Sequence, residues 1–511
     1  MKHIIAWKLS PTLSPEEKAT VKANAKSALE GLCGNIPGLL SIELVTDMLG
    51  TSTGDMLLIS EFADKKAYAE YKTHPLHVAA ADEFVRPIPL KGFAVTMNKR
   101  PEILSPAGDF EKLRSAVYFG ADAVYLAGSA FGMRVASGNF TDEELKEATE
   151  FCHSRGVRIY VTVNIMPRDG EYPALERFLT YLGEIGVDAA IVSDLGVAAL
   201  LRRVAPNVAL HVSTQASVVS SASCRAWYEL GAERVVLARE LSLSAIKEIR
   251  ENIPKDMEIE CFVHGSMCIA YSGRCLLSQH YVGRDANRGA CAQPCRWIYS
   301  RDTALYAEIA EEKRKDELLP VIEDGGDTFV MSSKDMCMIE HIPELIEAGI
   351  DSFKLEGRVR SAYYTAVVTN TYKMALDAYM RDPEGYSFDS ALARELDSVS
   401  HREYGTGFFF KGPHEDANLV SQPGYIREKA YLATAVKGCE AGGVAEFVQR
   451  NKLFDKSEAE LLTPGKTGLS LTVTELKNEK GEAIESAPHP GMIFTLRAPF
   501  EIKPGDILRG V

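Results

Sequence analysis

Gly186-Val-Asp-Ala-Ala-Ile-Val192 is the stretch that decides the fold, because its pattern of residue types occurs at three other places in the chain. In each copy a helical segment ends at a glycine, and the chain then runs directly into an apolar strand. A glycine that closes a helix and leads into a strand buried on both faces is typical of a parallel sheet covered by helices. The other copies are Gly120-Ala-Asp-Ala-Val-Tyr-Leu126, Gly231-Ala-Glu-Arg-Val-Val-Leu237 and Gly349-Ile-Asp-Ser-Phe-Lys-Leu355.

Four more apolar segments complete this pattern. They are Glu102 to Leu104, Arg158 to Asn164, Ala209 to Ser213 and Glu258 to Val263. Eight strands that alternate with helices predict an α/β fold of the (β/α)8 type, a TIM-like barrel, over residues 99–380.

Smaller units flank the predicted barrel. Residues 1–98 alternate strands and helices in a ferredoxin-like α+β order, and they resemble the dimeric α/β barrel (Dabb) domain in length and in the element His74-Pro75-x-His77. Two copies of that domain pair their sheets, so the resemblance implies a homodimer formed through this unit. After a helical and irregular connector at 381–422, residues 423–511 contain short strands between Pro-Gly turns, which predict a small β-barrel.

The composition is that of a folded protein with an acidic surface. The chain has 511 residues, 71 acidic against 57 basic side chains and a formal net charge of -14. Its overall field should repel polyanions, so any contact with nucleic acid has to be local. No apolar run approaches the roughly 18 to 20 residues that span a bilayer, and the first ten residues are too polar for a signal peptide. We therefore expect no membrane partner and a cytoplasmic location.

Polar side chains follow the apolar strands at the points where the strands end. Because active sites of such barrels gather at the carboxyl ends of the strands, these side chains predict a pocket. Arg134, Arg239 and Arg358 carry the planar fork that binds carboxylates, and Asn164 ends another strand, so these four are the predicted substrate-binding residues.

Three ionisable members of the same ring, Glu356, His264 and Glu260, are the predicted catalytic residues. Helix caps and ion pairs are the alternative roles for any single residue of the ring. Taken together, the residues mark a pocket.

Five of the ten cysteines lie between Glu260 and Tyr299. Cys261 lies inside an apolar strand and is predicted to be a buried apolar residue. The other four are spaced C-x6-C-x15-C-x3-C in a loop-like setting: Cys268, Cys275, Cys291 and Cys295. Four convergent thiolates suit a structural zinc ion or an iron-sulfur cluster, and the spacing leaves both open.

Five motifs stand out between residues 101 and 358. They are Pro101-Glu-Ile-Leu-Ser-Pro-Ala-Gly108, Gly120-Ala-Asp-Ala-Val-Tyr125, Glu260-Cys-Phe-Val-His-Gly-Ser-Met-Cys268, Tyr271-Ser-Gly-Arg-Cys-Leu-Leu-Ser278 and Phe353-Lys-Leu-Glu-Gly-Arg358. Together they resemble the collagenase-like peptidase family, number 32 among the peptidases of unknown type, over residues 99–511. The resemblance is closest to the branch that forms 5-hydroxyuridine at the wobble position of bacterial tRNAs.

That resemblance implies an oxygen-independent tRNA hydroxylase with prephenate, a small dicarboxylate, as the hydroxyl donor and co-substrate. It also implies a [4Fe-4S] cluster, because the four cysteines match the ligand positions of that branch. The N-terminal Dabb-like unit departs from the usual member of the family.

The cysteine loop is basic although the chain is acidic. Between Gly265 and Tyr299 its four arginines face a single acid, Asp285, and aromatic residues lie between the arginines. Such a surface suits unpaired anticodon bases, while a solvated loop that covers the cluster is the alternative. The predicted RNA contacts are Arg274, Arg284, Arg288 and Arg296.

Other functions stay open at this point. A collagenase-like peptidase could use Ser266, Ser272 or Ser278 with His264 as the base, although the sequence has no His-Glu-x-x-His motif. A sister branch of the family hydroxylates ubiquinone precursors, and a non-enzymatic RNA-binding module would keep the cluster structural. The ring of ionisable side chains favours an enzyme.

Overall fold

The computed structural model divides the chain into two compact units, Met1–Arg100 and Pro101–Val511. No helix of the described residues is long and apolar enough to cross a bilayer. The residues that the structure describes are 2–9, 13–47, 55–63, 65–84, 90–91, 100–132, 138–296, 308–311, 314–320, 322–324, 327–329, 333–412, 418, 420, 425–426 and 428–511.

The N-terminal unit is a four-stranded antiparallel sheet with helices packed against it. Its elements are β1 (Lys2–Leu9), α1 (Pro15–Glu30), β2 (Leu39–Val45), β3 (Met56–Phe62), α2 (Lys65–Thr73), α3 (Pro75–Phe84) and β4 (Leu90–Lys91). The strand order is β2-β3-β1-β4, and Ser14 and Glu17 form a capping box at the start of α1. The predicted ferredoxin-like α+β unit is confirmed, while residues 92–99, at its end, lie outside the described residues.

Eight parallel strands form a closed barrel in the second unit. Its strands up to residue 405 are β5 (Glu102–Pro106), β6 (Ala123–Leu126), β7 (Arg158–Val163), β8 (Ala189–Val192), β9 (Ala209–Val212), β10 (Ala232–Val236), β11 (Glu258–Ser266), β12 (Glu308–Glu311), β13 (Arg314–Pro320), β14 (Ile322–Asp324), β15 (Asp327–Phe329), β16 (Asp335–Cys337), β17 (Ser352–Leu355) and β18 (Tyr404–Gly405). Strands β5 to β11 pair in chain order, β17 follows β11, and β17 closes the barrel on β5. The predicted (β/α)8-type barrel is confirmed.

This unit contains ten helices among its described residues, and all but one short helix in the cysteine loop pack around the barrel. They are α4 (Phe110–Tyr118), α5 (Asp142–His153), α6 (Tyr172–Ile185), α7 (Leu195–Val204), α8 (Ser221–Glu229), α9 (Leu243–Glu251), α10 (Leu277–Val282), α11 (Ile342–Glu347), α12 (Ala362–Arg381) and α13 (Ser390–Asp397). Single 3-10 turns occur at Asp169–Glu171, Thr214–Ala216, Ala286–Arg288, Pro294–Arg296 and Ile339–His341.

Glycines close the helices in front of four barrel strands, as the repeated pattern predicts. Gly120, Gly186, Gly231 and Gly349 all have positive φ angles. Gly186 is the left-handed cap of α6 at φ 74°, and its N–H donates to the carbonyl of Leu182. This conformation costs a residue with a Cβ atom more than it costs glycine, which explains why the joint begins with glycine.

The long segment between β11 and β17 contains the cysteine loop. It runs from 267 to 296 in the described residues and includes α10. Two hairpins follow, β12 with β13 and β14 with β15, and β16 then pairs antiparallel to the end of β11. The cysteine loop therefore leaves the barrel at the carboxyl end of a strand.

A C-terminal antiparallel sheet of short strands follows the barrel, where the sequence predicts a small β-barrel. Its strands are β19 (Tyr431–Lys437), β20 (Val444–Gln449), β21 (Leu453–Phe454), β22 (Glu458–Leu462), β23 (Leu469–Thr472), β24 (Lys477–Asn478), β25 (Ser486–Ala487), β26 (Ile493–Arg497) and β27 (Ile507–Gly510). Seven of them form one sheet in the order β23-β22-β27-β19-β20-β26-β24. Arg509 of β27 is buried and pairs with Glu395 of α13, which fixes this sheet against the barrel unit.

Candidate functional site

A small cavity lies at the carboxyl ends of the barrel strands, and we call it the strand-end cavity. Its open volume is about 50 Å³. Three of the four predicted substrate-binding residues line it together with the predicted catalytic Glu356: Asn164, Arg239 and Arg358. The structure thus brings together side chains that lie almost 200 residues apart in the sequence.

The strand-end cavity is cationic. Arg239, Lys354 and Arg358 line it against one carboxylate, Glu356. Lys354 is 4% exposed, and its ammonium lies 4.6 Å from the centre of the Tyr125 ring and donates to Glu260 at 2.6 Å. Three cations around one carboxylate in a partly enclosed space favour an anionic ligand.

Glu356 follows β17 and lies close to two tyrosines. The Tyr125 hydroxyl lies 3.3 Å from the Glu356 carboxylate and makes its shorter hydrogen bond, at 2.9 Å, to the carbonyl of Leu355. The Tyr364 hydroxyl donates to the Glu356 carbonyl at 3.1 Å. Gly265, at φ 102°, allows this approach, because a Cβ atom there would lie 2.5 Å from the Glu356 carbonyl oxygen.

The four cysteines of the loop line one common cavity of about 110 Å³, which we call the thiol cavity. Gln215 and Ser272 line both the thiol cavity and the strand-end cavity. A third cavity of about 150 Å³, the bridging cavity, contacts Cys268, Glu356 and Arg360. The thiols and the cationic strand ends therefore lie next to each other, in adjoining cavities.

Several hydrogen-bond donors point at the cysteine sulfurs. Arg239 donates to Cys268 Sγ at 3.5 Å, and the backbone N–H of Gln293 donates to Cys291 Sγ at 3.4 Å. Ser272 lies between Arg239 and Cys268, and its hydroxyl is 4.0 Å from the Cys268 sulfur. Donors of this kind commonly surround sulfurs that hold a metal group. Among the described residues no group of three or more His, Cys, Asp or Glu side chains is arranged to hold a single metal ion.

Glu260, another predicted catalytic residue, lies inside the barrel below the strand-end cavity. It is fully buried, and its carboxylate accepts from Arg234 at 3.0 Å and from Lys354 at 2.6 Å. Arg234 also pairs with Glu102 at 2.7 Å. Glu260 thus contacts the cavity through the ammonium of Lys354.

His264, the third predicted catalytic residue, faces the outer helix layer. The pairing of β11 with β17 shifts register between Phe262 and His264. Such a β-bulge turns the following side chain away from the face that strict alternation gives it. The His264 ring packs against Tyr364, Tyr372 and Tyr404.

Burial dominates the chemistry of His264. Burial lowers its pKa to about 3, so the ring is neutral near pH 7. Neither of its ring nitrogens has a hydrogen-bond partner among the described residues.

The predicted RNA-binding arginines have different surroundings. Arg274 and Arg284 are exposed on the loop. Arg288 makes a bidentate pair with Glu171, at 2.7 and 3.0 Å, and also donates to the carbonyl of Met166. The hydrogen bonds from Arg288 lower the pKa of Glu171 to about 2. The side chain of Arg296 and all of Arg134 lie outside the described residues.

A family model for peptidase family U32 matches residues 108–419, which is more than half of the chain. The chain belongs to peptidase family U32. The model for the U32 C-terminal domain matches residues 428–509, and the stress responsive A/B barrel domain matches residues 1–98.

Relatives within the U32 family carry different names. The "tRNA hydroxylation protein P1" of Bacillus subtilis is 39% identical, covering 81% of this chain and 95% of the relative. The "tRNA hydroxylation protein P" of Escherichia coli is 34% identical over 79% of this chain and 95% of the relative. A "Collagenase" of Porphyromonas gingivalis is 32% identical over 80% of this chain and 97% of the relative.

Two residues of this U32 site were not singled out from the sequence as site residues. They are Lys354, which lies inside the motif that contains Glu356, and Arg360, which follows that motif. Gln215, which follows β9, lines both the strand-end cavity and the thiol cavity. The signal for Lys354 was present, since a lysine between the apolar residues Phe353 and Leu355 of a buried strand has to face the barrel interior.

Proposed function

We propose that this chain hydroxylates uridine in tRNA to 5-hydroxyuridine at the wobble position, without oxygen. The cofactor is a [4Fe-4S] cluster, and the hydroxyl donor is a small dicarboxylate, for which the family resemblance implies prephenate. Relatives that cover about four-fifths of the chain are named tRNA hydroxylation proteins, which supports RNA as the substrate class.

The observation that carries the proposal is that the thiol cavity adjoins the cationic strand-end cavity. Gln215 and Ser272 form a shared wall, and the Arg239 guanidinium reaches from the strand-end cavity to the Cys268 sulfur. A donor bound at the strand ends would therefore lie next to a group held by the thiols. Proximity of this kind is what a transfer reaction between two bound groups requires.

The four cysteines suit the cluster that the family resemblance implies. They line one cavity, and hydrogen-bond donors reach Cys268 and Cys291, as they do at cluster sulfurs. When bound, the cluster supplies redox or Lewis-acid chemistry at this wall of the site.

The strand-end residues supply the donor site. Lys354, Arg239 and Arg358 attract and orient a dianion, because two of them are guanidinium forks and the third is a buried ammonium. Arg358 is itself held in place by Thr162 at 3.1 Å and Asn139 at 2.7 Å. Glu356, next to the Tyr125 hydroxyl, is the carboxylate placed to accept or return a proton during transfer.

The exposed part of the cysteine loop supplies the RNA surface. Arg274 and Arg284 are exposed there, and Tyr271 and Tyr281 are 42% and 53% exposed beside them. Cations beside partly exposed aromatic rings suit the unstacked bases of an anticodon loop.

The geometry is unfavourable for a serine peptidase. A nucleophilic serine needs a base within hydrogen-bond reach. His264 is buried among tyrosines, and neither of its ring nitrogens contacts a serine of the described loop. The Ser266 hydroxyl instead accepts from Arg360 at 3.3 Å, and the Ser278 hydroxyl accepts from the Ala292 N–H at 3.0 Å.

Mass spectrometry of nucleosides from bulk tRNA tests this function. A strain that lacks the gene should lose 5-hydroxyuridine and nucleosides made from it, and the wild-type gene should restore them. A gene with Cys268→Ala should not restore them, while Cys261→Ala, which alters a buried strand residue, should. Unchanged tRNA in the deletion strain, or cleavage of an unfolded collagen-like peptide that Ser266→Ala abolishes, would overturn the proposal.

We also propose that the N-terminal unit pairs two chains. Alternate residues of β3 are buried under the helices, so Leu57 and Ile59 lie on the opposite, half-buried face of the sheet, which a second copy would cover. Deleting residues 1–97 should convert a dimer to a monomer in light scattering, and Ile59→Glu in the full chain should do the same. The matched control Leu76→Glu, on α3, should stay dimeric. An unchanged mass for the first two variants would contradict this role.

A further inference from the structure

A groove much larger than the strand-end cavity lies at the opposite end of the barrel, and we call it the strand-start groove. Its volume is about 1220 Å³. One wall is formed by the end of α4 and by Gly120 and Arg158, which lead into or begin β6 and β7. The other wall is formed by the C-terminal sheet, through Tyr431 of β19 and Arg450, which directly follows β20.

The strand-start groove concentrates positive charge in an acidic protein. Five cations line it, against two carboxylates, Glu111 and Asp122. The local excess is opposite in sign to the net charge of -14. The five cations are Arg114, Arg155, Arg158, Lys373 and Arg450.

Two of these cations are available for a ligand. Arg114 and Arg155 are exposed, and neither makes an ion pair with a described carboxylate. Their guanidinium groups are instead placed over aromatic rings, at 5.5 Å from the centre of Phe110 and at 3.9 Å from the centre of Phe151. Such contacts hold a guanidinium in position without cancelling its charge. The other three cations pair with acids: Arg158 with Glu102, Lys373 with Asp122 and Arg450 with Glu111.

The size of the groove favours an extended polyanion. Pockets for small ligands occupy about 300–1,000 Å³ and enclose most of their ligand. This groove is larger, and its cations are distributed over α4, the turn after α5, the start of β7, α12 and the end of β20 instead of converging on one point. A row of separated cations matches successive phosphates of a nucleic acid.

We propose that the strand-start groove binds the phosphate backbone of the substrate RNA at a part of the molecule remote from the modified base. The inference rests on the proposed function, because it takes the same RNA as substrate. The modified base is presented to the strand-end face, while the groove holds the backbone by contacts that do not depend on sequence. The C-terminal sheet contributes to substrate binding by forming one wall of the groove.

A paired charge-removal experiment tests the groove. Arg114→Gln with Arg155→Gln removes the two available cations. The matched control, Arg177→Gln with Arg225→Gln, removes the same charge from exposed positions of α6 and α8 outside the groove. Binding of full-length tRNA and of an isolated anticodon stem-loop is measured for both over a salt series, together with thermal unfolding.

The groove variant should bind full-length tRNA about tenfold more weakly at low salt. Its slope of log K against log salt should fall by about 1.4 to 1.8, since each lost phosphate contact removes about 0.7 to 0.9. Binding of the stem-loop, which reaches only the strand-end face, should not change. The control should bind both RNAs like the wild type.

Other outcomes separate the groove from the proposed function. If the groove variant binds tRNA like the wild type, or if the control variant binds it as weakly as the groove variant does, the proposed role of the groove is wrong. Binding of polyglutamate in place of tRNA, lost in the groove variant, assigns the groove to an acidic protein and also overturns it. If the wild type binds tRNA through the groove but forms no 5-hydroxyuridine, the proposed function fails and the groove stands. If the wild type binds neither RNA, both are rejected.

Discussion

Charged side chains lie in two layers of the barrel, and their surroundings differ. In the interior layer each is at most 4% exposed and pairs with another: Glu102, Arg234, Glu260 and Lys354. At the rim, Arg239, Glu356 and Arg360 line open cavities next to the thiols. An ionisable residue inside a barrel strand is therefore structural, while one that follows the end of a strand lies at the rim, where it can act in chemistry. Lys354 belongs to both layers, because it pairs with Glu260 and also lines the strand-end cavity.

Removing one of the four thiols at the rim should have the largest effect of these changes, because it should empty the chain of its iron. We expect anaerobically purified protein to hold about four irons per chain, the content of a cluster on four cysteines. Changing Cys268, Cys275, Cys291 or Cys295 to Ala should remove most of that iron. Cys261→Ala changes a buried residue of β11, which is 4% exposed, and this variant should retain its iron. Iron and zinc analysis by mass spectrometry checks this, and stoichiometric zinc without iron after iron-replete anaerobic growth would contradict it.

Arg234→Met tests the interior layer. This change leaves Glu102 and Glu260 buried without their shared cation, so the free energy of unfolding should fall by about 3–5 kcal/mol. Arg239→Met at the rim should cost less than about 2 kcal/mol, because that side chain is only partly buried. Its larger effect should be on product formation. Denaturant unfolding measures the stabilities, and equal losses would remove the distinction between the layers.

The pH dependence of stability tests His264, which the β-bulge places outside both layers. Burial lowers its pKa to about 3 in the folded chain, against about 6.5 when unfolded. Between these values the unfolded chain binds more protons, so stability falls as the pH drops from about 6.5 towards 3, by up to about 1.4 kcal/mol per pH unit. His264→Phe should reduce this loss, while His489→Phe, at an exposed position, should not. If stability depends on pH in the same way in the wild type and in His264→Phe, the lowered pKa of His264 is contradicted.

Most of the fold could be predicted from local sequence. The joints at Gly120, Gly186, Gly231 and Gly349 each combine a helix end with a buried strand, and this local signal does not depend on distant contacts. The convergence of the cysteines on one cavity also followed from their clustering in one loop.

The layer that a side chain occupies could not be predicted in the same way. Strict alternation would place Glu260, Phe262 and His264 on one face, but the register shift after Phe262 turns His264 outward. Arg288 pairs with Glu171, which lies 117 residues away, and only the closed barrel brings the two together. Both features depend on tertiary structure that sequence spacing does not encode.

The most direct test of the central claim is product formation by Glu356→Gln. Purified variant, wild type and the surface control Glu233→Gln are compared for iron content, tRNA binding and 5-hydroxyuridine formed from tRNA with prephenate. We predict that Glu356→Gln keeps its iron and its tRNA affinity and loses product at least about 100-fold, as expected for a residue that handles a proton. The control should match the wild type. Product formation by Glu356→Gln within about twofold of wild type, with iron retained, would contradict the claim that the rim of this barrel carries the chemistry.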